Sequence, residues 1–424
     1  MIGRLKALIP QRHPLRIGWH YAKAFIATLR YGFPARKLTV IGITGTDGKT
    51  TTVGMLAHIL LRAGKSVGAA STAFIQINDH CEENATHLTS LSPFALQKIL
   101  RNFVNMKCKY AVIEMSSHGL VQGRTHHTYP QVAGITNTAQ EHLDYHGSMQ
   151  QYRRDKGLIF HLLRGKGTKV INGADESYAL YKDIPSKNTV TYGKENSDLW
   201  LTDIRADTNS TSALIHKEKS KDHRLSLCMP GTFNLENALC AIGCATALGI
   251  EVEKATECLK DFKSLPGRME RIDEGQAFSV FVDFTMTPQA YEKTLSTLRA
   301  MVGDAGRVLV LCSCCGNREK EKRPDIGLIC SQLADVVVAT EDETYGEDPH
   351  AVLEEVWAGV DTNQADAHKI FDRREAITFL FEHAMEGDAV VLCGMGPFST
   401  MSKLEGPIPW DEREVAREIL RSLK

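Results

Sequence analysis

The chain has 424 residues with 50 lysines plus arginines against 51 aspartates plus glutamates, and 43% of it is hydrophobic. That length implies two or three domains with full cores, and a net charge of -1 excludes a dedicated nucleic-acid or polyanion binder in favour of a small-molecule partner. Its 11 cysteines follow no disulfide framework, Cys312, Cys314 and Cys315 lack the second pair that zinc needs, and no run approaches the about 20 apolar residues of a bilayer span, so a cytoplasmic protein is expected.

Residues 1–37 carry Arg4, Lys6, Arg12, Arg16, Lys23, Arg30, Arg36 and Lys37 and no acidic residue. Trp19, Tyr21, Phe25, Ile26 and Leu29 are interleaved among them, which reads as a short amphipathic helix. The plain expectation is that it packs on the next domain with a solvated basic face; the sharper one is peripheral contact with an anionic membrane or an anionic substrate.

From Leu38 the stretch LTVIGITGTDGKTTTVGMLAHILLRAGKSVGAA reads as strand, glycine-rich turn, helix and strand. It departs from the general P-loop pattern, since Ile43 stands where a glycine is required. What remains, Gly45-Thr46-Asp47-Gly48-Lys49-Thr50-Thr51, still aims backbone N–H groups, a lysine and a helix N-terminus at one spot, which suits a nucleotide's phosphates.

Strand-like runs at Ala111–Glu114, Val132–Thr136 and Lys169–Asn172 then alternate with helical stretches, the pattern of a mostly parallel sheet. Glu114 ends its strand, where an α/β sheet presents ligand-binding groups, and one carboxylate plus phosphate oxygens suffices for Mg²⁺. At the next strand end Asn137, Glu141, His142, Asp144 and His146 crowd together, with Lys156 two or three helical turns further on. Residues 198–229 are richer in strand formers and predict an antiparallel edge. After SLPGRMERI a second α/β series begins, with strands at Phe278–Asp283, Arg307–Cys312, Val336–Thr340 and Ala389–Cys393. The expected organisation is a basic leader at 1–37, a central P-loop-type, mostly parallel α/β domain at 38–265, and a smaller Rossmann-like α/β domain at 266–424.

GTDGKTTT, LTSLSPFALQ, EMSSHGLVQGR, ITNTAQEHLDYHGSMQQYRRDK, GTFNLENALCA, LPGRME, GNREKEKRP and EDP, in this order, resemble the Mur ligase family, most closely its branch that adds the third amino acid of the peptidoglycan stem. The resemblance implies a monomeric enzyme using ATP and Mg²⁺ to phosphorylate a muramoyl-peptide carboxylate, which an amino acid's amine then attacks. It implies that Lys49 and Thr50 hold phosphates and metal, that Glu114 and His142 are metal ligands, and that Lys156 is carbamylated and joins them. Asn234 and Asn237 would lie against adenine, Arg268 and Asp283 would reach the nucleotide on domain closure, and Thr89, Ser90, Ser116, Ser117 and Arg124 would contact the acceptor.

Three departures stand out. Where usual members carry a uridine-nucleotide domain, the basic leader stands. The D-N-P-R motif that reads diaminopimelate is Asp342-Glu343-Thr344-Tyr345, so lysine or another diamine is open. A histidine and a lysine of the family pattern are Met286 and Met395. These departures keep two alternatives in view: a non-catalytic ATP-binding partner of cell-wall enzymes, and a ligase resembling folylpolyglutamate synthase.

Overall fold

A computed structural model describes residues 10–218, 220–317 and 319–424. The chain divides into two compact units, one comprising residues up to Ile204 with Ser212–Leu227 and Asn234–Phe262, the other Arg205–Thr211, Cys228–Phe233 and Lys263–Lys424.

The first unit is built on an 11-stranded sheet. Its strands are β1 (Thr39–Thr44), β2 (Val67–Ala70), β3 (Phe74–Ile77), β4 (His80–Glu83), β5 (Tyr110–Glu114), β6 (Val132–Ile135), β7 (Thr168–Asn172), β8 (Asn188–Tyr192), β9 (Leu199–Ala206), β10 (Thr211–Lys217) and β11 (His223–Leu227). Their spatial order is β11-β10-β9-β8-β7-β6-β1-β5-β2-β3-β4. The central strands β2, β5, β1, β6, β7 and β8 run parallel, while β3 and β4 return antiparallel at one edge. Val40, Ile41, Ile43, Val112 and Ile113 are buried because both sheet faces are covered, which is why these strands read as unbroken apolar runs. The 198–229 stretch forms β9 to β11 at the opposite edge.

Helices start where the local chemistry supplies a cap. Ser92 accepts from Ala95 N ahead of Pro93–Asn105, and Ser148 accepts from Gln151 N ahead of Met149–His161, the helix that carries Lys156. Parallel pairing sets Ile43 opposite Glu114 and Thr44 opposite Ile135. The carboxyl ends of β1, β5, β6 and β2 therefore lie side by side, and the loops leaving them share one rim.

In the leader, Arg4 and Lys6 lie outside the described residues. The amphipathic helix is present at Pro14–Arg30, but the side that packs inward differs from the plain expectation. Ala24, Ala27 and Thr28 are buried, whereas Trp19, Phe25, Ile26 and Leu29 are exposed. Small inward side chains let the helix approach the chain closely, with Tyr21 edge-on to His126 at 4.9 Å.

The second unit carries a six-stranded sheet of β12 (Glu270–Ile272), β13 (Ser279–Asp283), β14 (Val308–Cys312), β15 (Val336–Ala339), β16 (Asp366–Lys369) and β17 (Ala389–Cys393). Its order is β12-β13-β17-β14-β15-β16, parallel except for β12. Apolar layers fill both faces, with Phe281, Val308 and Val391 on one side and Val280, Leu309 and Val390 on the other.

Candidate active site

The turn after β1 sets the site. Gly45 (φ +149°) and Gly48 (φ +76°) occupy backbone regions that favour glycine, and neither has room for a side chain. A Cβ on Gly45 would fall 1.8 Å from Thr136 Oγ1, and one on Gly48 would fall 1.9 Å from Asn237 Oδ1. The loop is pinned from β6: Thr136 Oγ1 donates to Asp47 O at 2.6 Å, Thr46 N donates to Asn137 O at 2.9 Å, and Asp47 N donates to Asn137 Oδ1 at 3.0 Å. Thr46 Oγ1 accepts from Ala139 N at 2.9 Å.

Two lysines converge on this loop from different elements. Lys49 Nζ, at the start of the Lys49–Arg62 helix, donates to Thr46 O at 2.5 Å. Lys156 Nζ donates to Gly45 O at 2.5 Å and lies 4.3 Å from the centre of the Tyr152 ring. Lys156 is fully buried; that burial, reinforced by the Lys49 charge, holds its amine well below the ordinary lysine range. Thr51, in the first turn of the same helix, is buried as well.

Glu114, 1% exposed, is the polar hub of the rim. It accepts from Thr50 Oγ1 at 2.9 Å, from Thr72 N at 2.8 Å and from Thr72 Oγ1 at 3.0 Å. Thr72 Oγ1 also lies 3.0 Å from Thr89 Oγ1, which links the Thr50–Glu114 pair to the segment carrying Thr89 and Ser90. Ser90 Oγ accepts from Ser116 N at 2.8 Å, and Arg124 Nη1 donates to Ser90 O at 2.9 Å. Sequence reasoning missed Thr72; its only signal was its place just past the end of β2.

A histidine cluster adjoins these residues. His142 sits in the left-handed region (φ 56°), pairs with Glu141 at 3.4 Å, and is edge-on to His118 at 4.7 Å. Burial, then the neighbouring His142 and His146, push His118 down to about 2, so its ring is neutral. His146 bonds Ser117 Oγ at 3.0 Å through Nε2 and Asp155 at 2.6 Å through Nδ1, and Arg12 donates to the same Asp155 carboxylate at 2.5 Å. Burial opposes ionisation of Asp155, yet these partners hold it below the usual carboxylate range. Among the described residues, no group of three or more His, Cys, Asp or Glu side chains is gathered as a ready metal cage.

Asn237 Nδ2 donates to Asn234 Oδ1 at 3.2 Å, which sets both amides at the Gly48 turn. Arg268 and Asp283 belong to the second unit. There Asp283 Oδ1 accepts from Met269 N at 2.9 Å, and the Arg268 guanidinium lies 4.6 Å from the Phe284 ring centre. In the same unit Asp342, Glu343 and Thr344 are buried, and Asp342 Oδ2 accepts from Ser313 Oγ at 2.5 Å.

Comparison with known proteins places this geometry. The Mur ligase middle domain matches residues 43–245, and the Mur ligase, glutamate ligase domain matches residues 267–396. The UDP-N-acetylmuramoyl-L-alanyl-D-glutamate--2,6-diaminopimelate ligase of Geobacillus kaustophilus is 34% identical over 410 residues, covering 94% of this chain and 82% of that protein. The UDP-N-acetylmuramyl-tripeptide synthetase of a Roseiflexus species is 33% identical over 422 residues, 95% of this chain and 82% of its own length. A solved diaminopimelate ligase of the same name as the first is 26% identical, with a TM-score of 0.63 over 91% of this chain and 79% of that one. The MurF ligase of Thermotoga maritima, solved with ADP, shares the fold at a TM-score of 0.70 and 19% identity over 94% of this chain and 84% of its own. With both domains matched in order and relatives aligned along nearly all of its length, the chain belongs to the Mur ligases, a family of ATP-dependent amino-acid ligases.

Proposed function

We propose that this protein joins an amino acid to the carboxylate of a muramoyl peptide in peptidoglycan-precursor synthesis, acting as a cytoplasmic monomer with a central ligase domain at 38–265 and a C-terminal one at 266–424. The observation that carries this reading is the convergence of Lys49 and Lys156 on the carbonyls of Thr46 and Gly45, beside a buried Glu114 bonded to Thr50. Two lysine amines bonded to loop carbonyls suit an anion, and the helix N-terminus beside them favours phosphate.

Lys49 turns from Thr46 O to the β- and γ-phosphates of ATP, and the loop N–H groups from Gly45 to Thr51 line the phosphate chain. Asn234 and Asn237 face the base. The acceptor carboxylate, oriented by Arg124, Thr89, Ser90, Ser116 and Ser117, attacks the γ-phosphorus; the acyl phosphate forms and ADP leaves. The amino acid's amine then attacks the acyl carbon, inorganic phosphate departs with the C–O bond electrons, and the amine gives up a proton. Arg268 and Asp283 reach the nucleotide from the C-terminal domain, and water is kept from the acyl phosphate.

The donor set fits Mg²⁺, since Thr50 Oγ1 and the Glu114 carboxylate are hard oxygens 2.9 Å apart. His142 and a carbamylated Lys156 would hold a second ion. A neutral amine is what attacks carbon dioxide, and burial, with the Lys49 charge, lowers the Lys156 amine toward that form. Bound Mg²⁺ supplies charge neutralisation at the transferring phosphoryl group.

Although several relatives are named for diaminopimelate, Tyr345 occupies the position of the arginine that would pair with its distal carboxylate, so lysine or another diamine is the proposed co-substrate. Met286 and Met395 favour one competing reading, an ATP-binding protein that no longer ligates. Phosphate release from ATP, screened over amino acids with UDP-muramoyl-dipeptide and repeated with Lys49→Ala, separates the two. Release that needs both substrates and vanishes in the variant supports the ligase. ATP binding without turnover for any amino acid, with UDP-linked and lipid-linked acceptors alike, refutes it.

A further inference from the structure

The helix Pro14–Arg30 buries its small side chains and exposes its large ones. Leu15 is 73% exposed, Trp19 54%, Phe25 47%, Ile26 49% and Leu29 52%, so five of the fifteen exposed large hydrophobic side chains among the described residues lie on this one helix. At about 100° per residue these five fall within an arc of roughly 120°, opposite the buried Ala24 and Ala27. Arg30, Lys23 and Arg16 follow next on the same wheel and make a basic border along one side of the arc. A helix on a water-soluble surface turns its apolar arc inward; this one turns it outward.

The charge pattern selects the occupant. Residues 1–37 contain eight lysines and arginines and no aspartate or glutamate. A second copy of the helix would set an identical row of cations against this border with no carboxylate on either side to receive it. An anionic phospholipid surface meets both features at once, taking the apolar arc at the acyl boundary and the cations at the phosphates. Among the described residues no helix is long and apolar enough to cross a membrane, so the helix would lie in the interface plane.

We propose that Pro14–Arg30 is an interfacial anchor that seats this protein on an anionic lipid surface. The proposal stands apart from the ligase reading, because it uses none of the residues of the phosphate site. Its geometric link to that site is Arg12, just before the helix, whose guanidinium bonds Asp155, the neighbour of Lys156.

Flotation of the full chain with vesicles of phosphatidylcholine alone, and of phosphatidylcholine mixed with phosphatidylglycerol, tests it. The expected result is binding to the mixed vesicles that weakens with salt and is slight on the neutral ones. Trp19→Ser/Ile26→Ser/Leu29→Ser should lower partitioning at least about tenfold, and Lys23→Gln/Arg30→Gln about fivefold per cation. Both variants change exposed side chains, and an unchanged thermal midpoint certifies that they fold. Failure to bind mixed vesicles, equal binding to both kinds, or undiminished binding by the apolar variant would overturn the proposal. So would a dimer in sedimentation velocity that the apolar variant abolishes, which would assign the face to a second copy.

Discussion

Thr72→Val tests whether Glu114 is held as an ionised hub. The buried Glu114 carboxylate accepts three hydrogen bonds, two of them from Thr72 and one from Thr50. The Thr72 hydroxyl has one proton and two oxygen neighbours, Glu114 Oε1 and Thr89 Oγ1, each at 3.0 Å. An ionised carboxylate can only accept, so the single Thr72 hydroxyl proton goes to Glu114 when that carboxylate is charged. Valine keeps the shape and the backbone N–H but removes that donor. Hydrogen bonds to charged groups contribute about 1.5–3 kcal/mol and neutral ones about 0.5–1.5 kcal/mol. Thr72→Val should therefore cost the first unit about 1.5–3 kcal/mol. In a Glu114→Gln background the same change should cost about 1 kcal/mol less, because the acceptor is then neutral. Urea unfolding followed by fluorescence, with Trp357 and Trp410 of the second unit replaced by Phe, reads the first unit through Trp19 and Trp200. Additivity of the two substitutions within about 0.3 kcal/mol would refute the ionised-hub reasoning.

Lys156 makes a pH signature. Its folded amine is held below the ordinary lysine value by burial, so between that depressed value and about 10.4 the unfolded chain binds the extra proton and stability rises with pH. Lys156→Met should flatten this alkaline slope in urea midpoints taken across the window. Gly48→Ala and Gly64→Ala share a left-handed backbone (φ +76° and +74°), but only the first would strike a neighbour, Asn237 Oδ1, at 1.9 Å. Calorimetry should find ATP affinity lowered more than about tenfold by Gly48→Ala, while Gly64→Ala costs only about 1–2 kcal/mol of stability and leaves affinity intact. In the second unit Arg373 and Glu412 form a fully buried pair at 2.6 Å. Arg373→Met alone should destabilise that unit by about 3–5 kcal/mol, and adding Glu412→Leu should recover most of it, as measured by thermal unfolding.

What was legible in the sequence is what local chemistry dictates. An apolar run ending in a carboxylate located Glu114 at a strand end, because a buried strand of a parallel sheet delivers its first polar residue to the rim. Two glycines just ahead of a lysine located the tight turn after β1. Thr72 was illegible because a threonine after Ala69, Ala70 and Ser71 carries no pattern of its own. Its importance comes from β2 lying beside β5, a neighbour that is not next in sequence. Arg373 and Glu412 were illegible for a similar reason, since charged residues ordinarily read as surface and only the assembled unit buries them together.

The helix Pro14–Arg30 separates these two kinds of knowledge within one element. Its periodicity predicts a helix with one apolar arc, and the structure has both. Which arc faces the protein is decided elsewhere, by what the adjoining surface offers. That surface sets His126 and His127 beside Tyr21 and Phe25 and Asp155 beside Arg12, and it buries Ala24, Ala27 and Thr28. Setting Trp19, Ile26 and Leu29 against that polar surface would strand polar atoms away from water, a cost of about 1–3 kcal/mol for each unsatisfied group. The small-residue arc fits there instead, and the large one is left facing outward, where the absence of any carboxylate among residues 1–37 makes an anionic surface its best match.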